Sequence, residues 1–145
     1  MEVNLREGID GLRFGMKQKD VEKQCGTPDK QYKDDEDNVV YLYNDRKIML
    51  TFYEEEDYRL SYMASSHPEL ELFSSNIIDE EWEDVKQLLE KNGVKGFEKE
   101  DFDSFENYFN EDNWLTLAVE FGEVTRVEIG AIISDEDEFE WKFKE

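Results

Sequence analysis

Few residues of this chain could do chemistry, except for one very abundant kind. Among 145 residues there is one histidine, His67, and one cysteine, Cys25, whereas Asp and Glu together number 39. His67 lies in "SSHPE", just before Pro68, with Ser65, Ser66 and Glu69 beside it. A triad drawn from neighbours in one loop fails on geometry, because such partners are brought together by the fold. Cys25 falls on the apolar side of a short helix, or at its end, where a thiol behaves as a small hydrophobe. Nothing else supports a papain-like pair with His67, and one His with one Cys makes no zinc site without carboxylates. "DDEDNVVYLYND" (Asp34 to Asp45) places acids at alternate early positions. Val39, however, stands where an EF-hand loop needs glycine, and the second half reads as a strand. "GIDGLRFG" spaces its glycines without a preceding strand or a helix-opening GxGxxG. Paired carboxylates for acid–base work cannot be singled out among so many. The residues therefore assign no catalytic group, no cofactor-binding group and no metal ligand, and the expectation is a protein that is not an enzyme.

The acids are better read together. Against them stand 17 Lys and Arg, for a net charge of −22. Such a chain repels nucleic acid and anionic membranes and attracts basic surfaces, besides gaining solubility. The acids cluster at Asp34–Asp37, Glu54–Asp57, Asp79–Asp84 (broken by Trp82) and Asp135–Glu138. A single cysteine allows no internal disulfide, which fits a reducing compartment. "MEVNLREGID" has no basic segment followed by an apolar run, and no stretch is apolar enough to span a membrane. The expected location is cytoplasmic.

These groups need elements to position them. Ten Phe, seven Tyr and three Trp argue for a packed core. Met16–Asp29 reads as a helix with Val21 and Cys25 at i, i+4, stopped by Gly26 and Pro28. Strands follow at Val39–Tyr43, Lys47–Tyr53 and Tyr58–Met63, with Leu70–Phe73 as a further candidate. Asp79–Gly93 reads as a second helix with an apolar stripe of Trp82, Val85, Leu88 and Leu89, capped by Asp79. Strands Ser104–Phe109, Trp114–Phe121 and Val124–Ile133 come next, and Phe139–Phe143 is weaker. The two halves align at an offset of 64 through the helix (Val21 on Val85) and 67 beyond it (Gly26 on Gly93, Ile48 on Leu115, Arg59 on Arg126). The fold class read from this is α+β: two helix-plus-antiparallel-sheet repeats, residues 1–74 and 75–145, in one continuous or closely packed sheet.

Strand alternation sorts the faces. Ile48, Leu50, Phe52, Leu60 and Tyr62 form the face expected to pack on a helix. The other carries Lys47, Met49, Thr51, Tyr53, Arg59, Ser61 and Met63, with Trp114, Thr116, Ala118, Glu120, Arg126, Glu128 and Gly130 in the second half. A solvated face seldom mixes Trp, Tyr and Met in this way, whereas a binding surface does. The candidate partner-binding residues are therefore Met49, Tyr53, Glu54, Glu55, Glu56, Asp57, Arg59, Met63, Trp114, Glu120, Arg126 and Glu128.

"GLRFGMKQKDVEKQCGTPD" resembles the opening of the small domain shared by outer-membrane assembly lipoproteins of the SmpA/OmlA type and by beta-lactamase-inhibitory protein. Gly15, Met16, Val21, Gly26, Thr27 and Pro28 carry the likeness. The resemblance implies a tandem unit whose sheet grips a protein, or an assembly and scaffold module. By type, a small, acidic protein with no catalytic signature also resembles bacterial toxin immunity proteins. That likeness implies a basic partner, a cognate nuclease toxin domain, blocked without catalysis.

Overall fold

The computed structural model describes residues 1–134 and 136–143. The chain opens with a two-stranded ribbon, β1 (Val3–Asn4) and β2 (Gly8–Ile9), followed by helix α1 (Gln18–Cys25). Four strands come next: β3 (Lys30–Lys33), β4 (Val39–Tyr43), β5 (Ile48–Tyr53) and β6 (Arg59–Ser65). A second ribbon, β7 (Glu71–Leu72) and β8 (Ser75–Asn76), leads into α2 (Trp82–Lys91). Then come β9 (Glu98–Asp101), β10 (Glu106–Asn110), β11 (Leu115–Glu120) and β12 (Glu123–Gly130). The class is α+β, and the eight longer strands form one antiparallel sheet in the order β3-β4-β5-β6-β12-β11-β10-β9. β6 and β12 meet at its centre, from Val127 opposite Ser65 to Gly130 opposite Tyr62.

Both helices lie on one face of this sheet. The Asp20 carboxylate accepts the Lys17 N–H at 3.0 Å at the start of α1, and Gly26 ends the helix at φ +79°, a conformation that costs glycine little. Val21 is fully buried, and α2 buries Trp82, Val85 and Leu89. Each such side chain contributes about 1.5–3 kcal/mol on leaving water. Asp79 does not cap α2. It sits at φ +70° and donates its N–H to the Val124 carbonyl at 2.8 Å, while Val124 donates back to Glu80 at 2.9 Å. The same exchange precedes α1, where Gly15 donates to Leu60 at 2.9 Å and Leu60 to Met16 at 2.7 Å.

Two bulges decide what the sheet faces carry. On β6 the register passes from Phe52↔Leu60 to Thr51↔Tyr62, so Ser61 is the extra residue. On β12 it passes from Val119↔Val124 to Ala118↔Arg126, and Thr125 is extra. One inserted residue turns everything beyond it to the other side. Met63, expected on the open face, is therefore fully buried opposite Leu50, and so is no surface contact. Tyr62, expected in the core, moves to the open face. The helix face is built from Tyr41, Leu50, Phe52, Leu60, Met63, Leu117, Val127 and Ile129, all buried. Phe139–Phe143 is not a strand. It is a tail without regular structure that bridges Ile133 at Phe139 and is held by Lys142 and Phe143 N–H bonds to the Phe14 carbonyl.

Candidate functional site: an acidic groove with an aromatic floor

The β3–β4 and β5–β6 turns project from the same end of the sheet, because Val39 pairs with Phe52. One buried side chain ties them together. Asn38 donates from Nδ2 to Asp34 at 3.3 Å, and its Oδ1 accepts the Glu54 N–H at 3.0 Å. Asp34 Oδ1 closes its own loop by accepting the Glu36 and Asn38 N–H groups at 2.9 and 3.0 Å. Loss of solvent alone would raise the Asp34 pKa, but these hydrogen bonds outweigh it and hold the carboxyl below its usual range.

Between the two turns runs a groove of about 760 Å³ on the open face. Asp34, Asp35 and Glu36 form one wall, and Glu55 and Glu56 the other. Tyr53, Tyr62 and Thr51 line it from the strands, and Phe139 from the tail. Phe139 meets Tyr53 edge-on at 6.2 Å. Burial, then the charges of Glu36 and Asp34, raises the Tyr53 pKa, so its hydroxyl stays protonated. No Lys or Arg lines the groove among the described residues. Nor does an ion pair among the described residues neutralise Asp35, Glu36, Glu55 or Glu56.

The candidate residues distribute unevenly around this groove. Glu55, Glu56 and Tyr53 line it, and Glu54 anchors it through its backbone. Asp57 turns away to pair with Lys17 at 2.7 Å, which holds its carboxyl below the usual range. Arg59 donates to the Gly15 carbonyl at 3.1 Å and lies 6.0 Å over Trp141, so it pins the tail. Trp114 rests on Gly130, in the same cross-strand row as Tyr62 and Thr51. Glu128 accepts from Tyr62 and pairs with Arg126 at 2.8 Å. Met49 lines a shallower hollow with Leu42, Ala64 and Arg126. Glu120 closes the opposite end of the sheet, against Glu123.

Sequence reasoning missed Asn38, Tyr62 and Phe139. An Asp opening a polar turn is a loop-closing signal, since its side chain accepts from the backbone two residues on, as Asp34 does from Glu36, whereas Phe139 reaches the groove only through the tail. Of the Asp135–Glu138 cluster, Asp135 lies outside the described residues, and the Ser134 hydroxyl accepts the Glu136 and Glu138 N–H groups at 3.3 Å.

The other chemistry is tied up in turns. His67 Nδ1 accepts the Glu69 N–H at 3.0 Å, and the Ser65 hydroxyl faces the Arg46 carbonyl at 3.4 Å. Burial, opposed by Arg46, raises the Cys25 pKa and keeps the thiol protonated. Among the described residues no three His, Cys, Asp or Glu side chains are placed to hold a metal ion, and no helix is long and apolar enough to cross a membrane.

No protein-family model matches the chain, and no curated protein matches it in sequence. In three dimensions it is similar to the crystal structure of an extracellular protein containing a SCP domain from Bacillus anthracis str. Ames, with a TM-score of 0.51 and 12% identity over 80% of this chain. The chain spans 43% of that protein's length, and at this identity the likeness is one of fold alone.

Proposed function

We propose that this is a non-catalytic binding protein that neutralises a basic protein partner, an immunity protein that blocks a nuclease toxin in the cytoplasm. The observation that carries the reading is the groove: carboxylates on both walls, three aromatic rings and no neutralising base among the described residues. Charge steers encounter with a basic surface, and buried aromatic contact holds the complex. The net charge of −22 acts in the same direction at longer range.

The proposed architecture is two copies of one unit, residues 1–74 and 75–145. It is supported by the paired backbone exchanges Gly15–Leu60–Met16 and Asp79–Val124–Glu80, each shifted by 64. On the hairpins the positions correspond by pairing: Tyr53↔Arg59 and Glu120↔Glu123 close them. On this reading Arg59 corresponds by pairing to Glu123, where the sequence alignment sets it on Arg126, and the acidic turn contains three residues more than its counterpart.

The test is stopped-flow association with a basic nuclease toxin domain across ionic strength. The on-rate is expected to fall steeply with salt, and Glu55→Lys with Glu56→Lys to weaken binding by about tenfold or more. An on-rate indifferent to salt, or unchanged affinity in the double variant, argues against the reading.

A further inference from the structure

The two walls of the groove are acidic, but their carboxylates do not converge. Asp34 is occupied by the Asn38 and Glu36 N–H groups, and no three acids among the described residues are placed around one point. Asp35, Glu36, Glu55 and Glu56 instead stand on two separate loops across about 760 Å³. A compact cation, metal or ammonium, finds no centre there. A flat, delocalised one does better, since a guanidinium stacks on aromatic rings and spreads five N–H donors in a fork toward carboxylates on both sides. Tyr53, Tyr62 and Phe139 supply the rings. The fold already uses this pairing at the flank of the groove, where the Arg59 guanidinium lies 6.0 Å over Trp141 and Trp141 stacks on Phe139 at 5.1 Å.

We propose that the groove receives an arginine side chain carried on an extended segment of the partner, in preference to lysine. This rests on the groove being the contact for a basic protein.

The test compares two fluorescein-labelled peptides of equal length and charge, one of four Gly-Arg repeats and one of four Gly-Lys repeats, by anisotropy. The Arg peptide is expected to bind about fivefold to tenfold more tightly. Phe139→Ala and, separately, Tyr62→Leu should erase most of that preference while leaving the Lys peptide nearly unaffected. Glu55→Gln with Glu56→Gln should weaken both. Equal affinity of the wild type for the two peptides overturns the arginine inference and leaves the basic-partner reading standing. A preference that survives both aromatic variants also overturns it, because the discrimination then arises elsewhere. Salt-independent binding of both peptides, or none of either, overturns the basic-partner reading with it.

Discussion

The Tyr62 hydroxyl donates to the Glu128 carboxylate across the seam where β6 meets β12. Glu128 is 15% exposed, and burial raises its pKa above the ordinary 4.5 despite Arg126 beside it. The folded protein therefore keeps a proton that the unfolded chain has already lost over a window starting near 4.5. Stability contributed by this site is present below that window and falls as pH rises through it. Glu128→Gln still accepts from Tyr62 and cannot ionise, and the exposed side of the Arg126 pair is worth little. The variant should match the wild type near pH 4 and exceed it at pH 7, as measured by urea unfolding. Parallel pH profiles for the two proteins would contradict this.

The bulge at Ser61 sets two methionines of similar sequence context apart. Met63 is fully buried, whereas Met49 is half-buried on the open face. Met63→Ala should cost about 2–5 kcal/mol through lost burial and the cavity left behind. Met49→Ala should cost about 1 kcal/mol or less, because its site is open to water. Equal costs in denaturant titrations would place both residues in one environment and contradict the register.

That contrast also marks the limit of what could be read from the sequence. β4 was legible to the residue, because one apolar run is bounded by polar turns. In β6 the apolar residues fall at 60, 62 and 63, and alternation from Leu60 leads to Tyr62. Only the pairing with β5 shows that Ser61 is skipped. The edge strands β3 and β9 were invisible, since "KQYK" and "EKED" are exposed throughout and bury no alternating face. The acids of the groove were plain in the sequence. Their placement on the two walls of one groove was not, because it depends on Asn38 joining two hairpin turns and on Phe139 returning from beyond β12.

Gly130 explains why Trp114 lies flat on the sheet. A Cβ at residue 130 would come within 2.2 Å of the Trp114 ring, while the Gly130 N–H bonds the Trp114 carbonyl at 3.0 Å. Gly130→Ala must lift the indole, at a cost of about 1–3 kcal/mol. In a Trp114→Leu background most of that cost should vanish, a coupling readable by a double-mutant cycle. An undiminished penalty there would mean that the backbone, not the ring, requires glycine.

The two-residue turn between Glu120 and Glu123 places both Phe121 (φ +52°) and Gly122 (φ +80°) in the left-handed region. This is the hairpin geometry that favours Asn-Gly. Phe121 bears the steric cost of that conformation while its ring is fully exposed. Phe121→Asn should relieve strain without losing packing, raising stability by about 0.5–1 kcal/mol and Tm by about 1–4 °C. The turn lies at the opposite end of the sheet from the groove, because β12 runs antiparallel to β6. Binding of a basic probe at the groove should therefore be unchanged. A lower Tm would show that the ring contributes packing. Weakened binding with an intact fold would place Phe121 itself in the contact, at the opposite end of the sheet from the groove proposed to receive the partner.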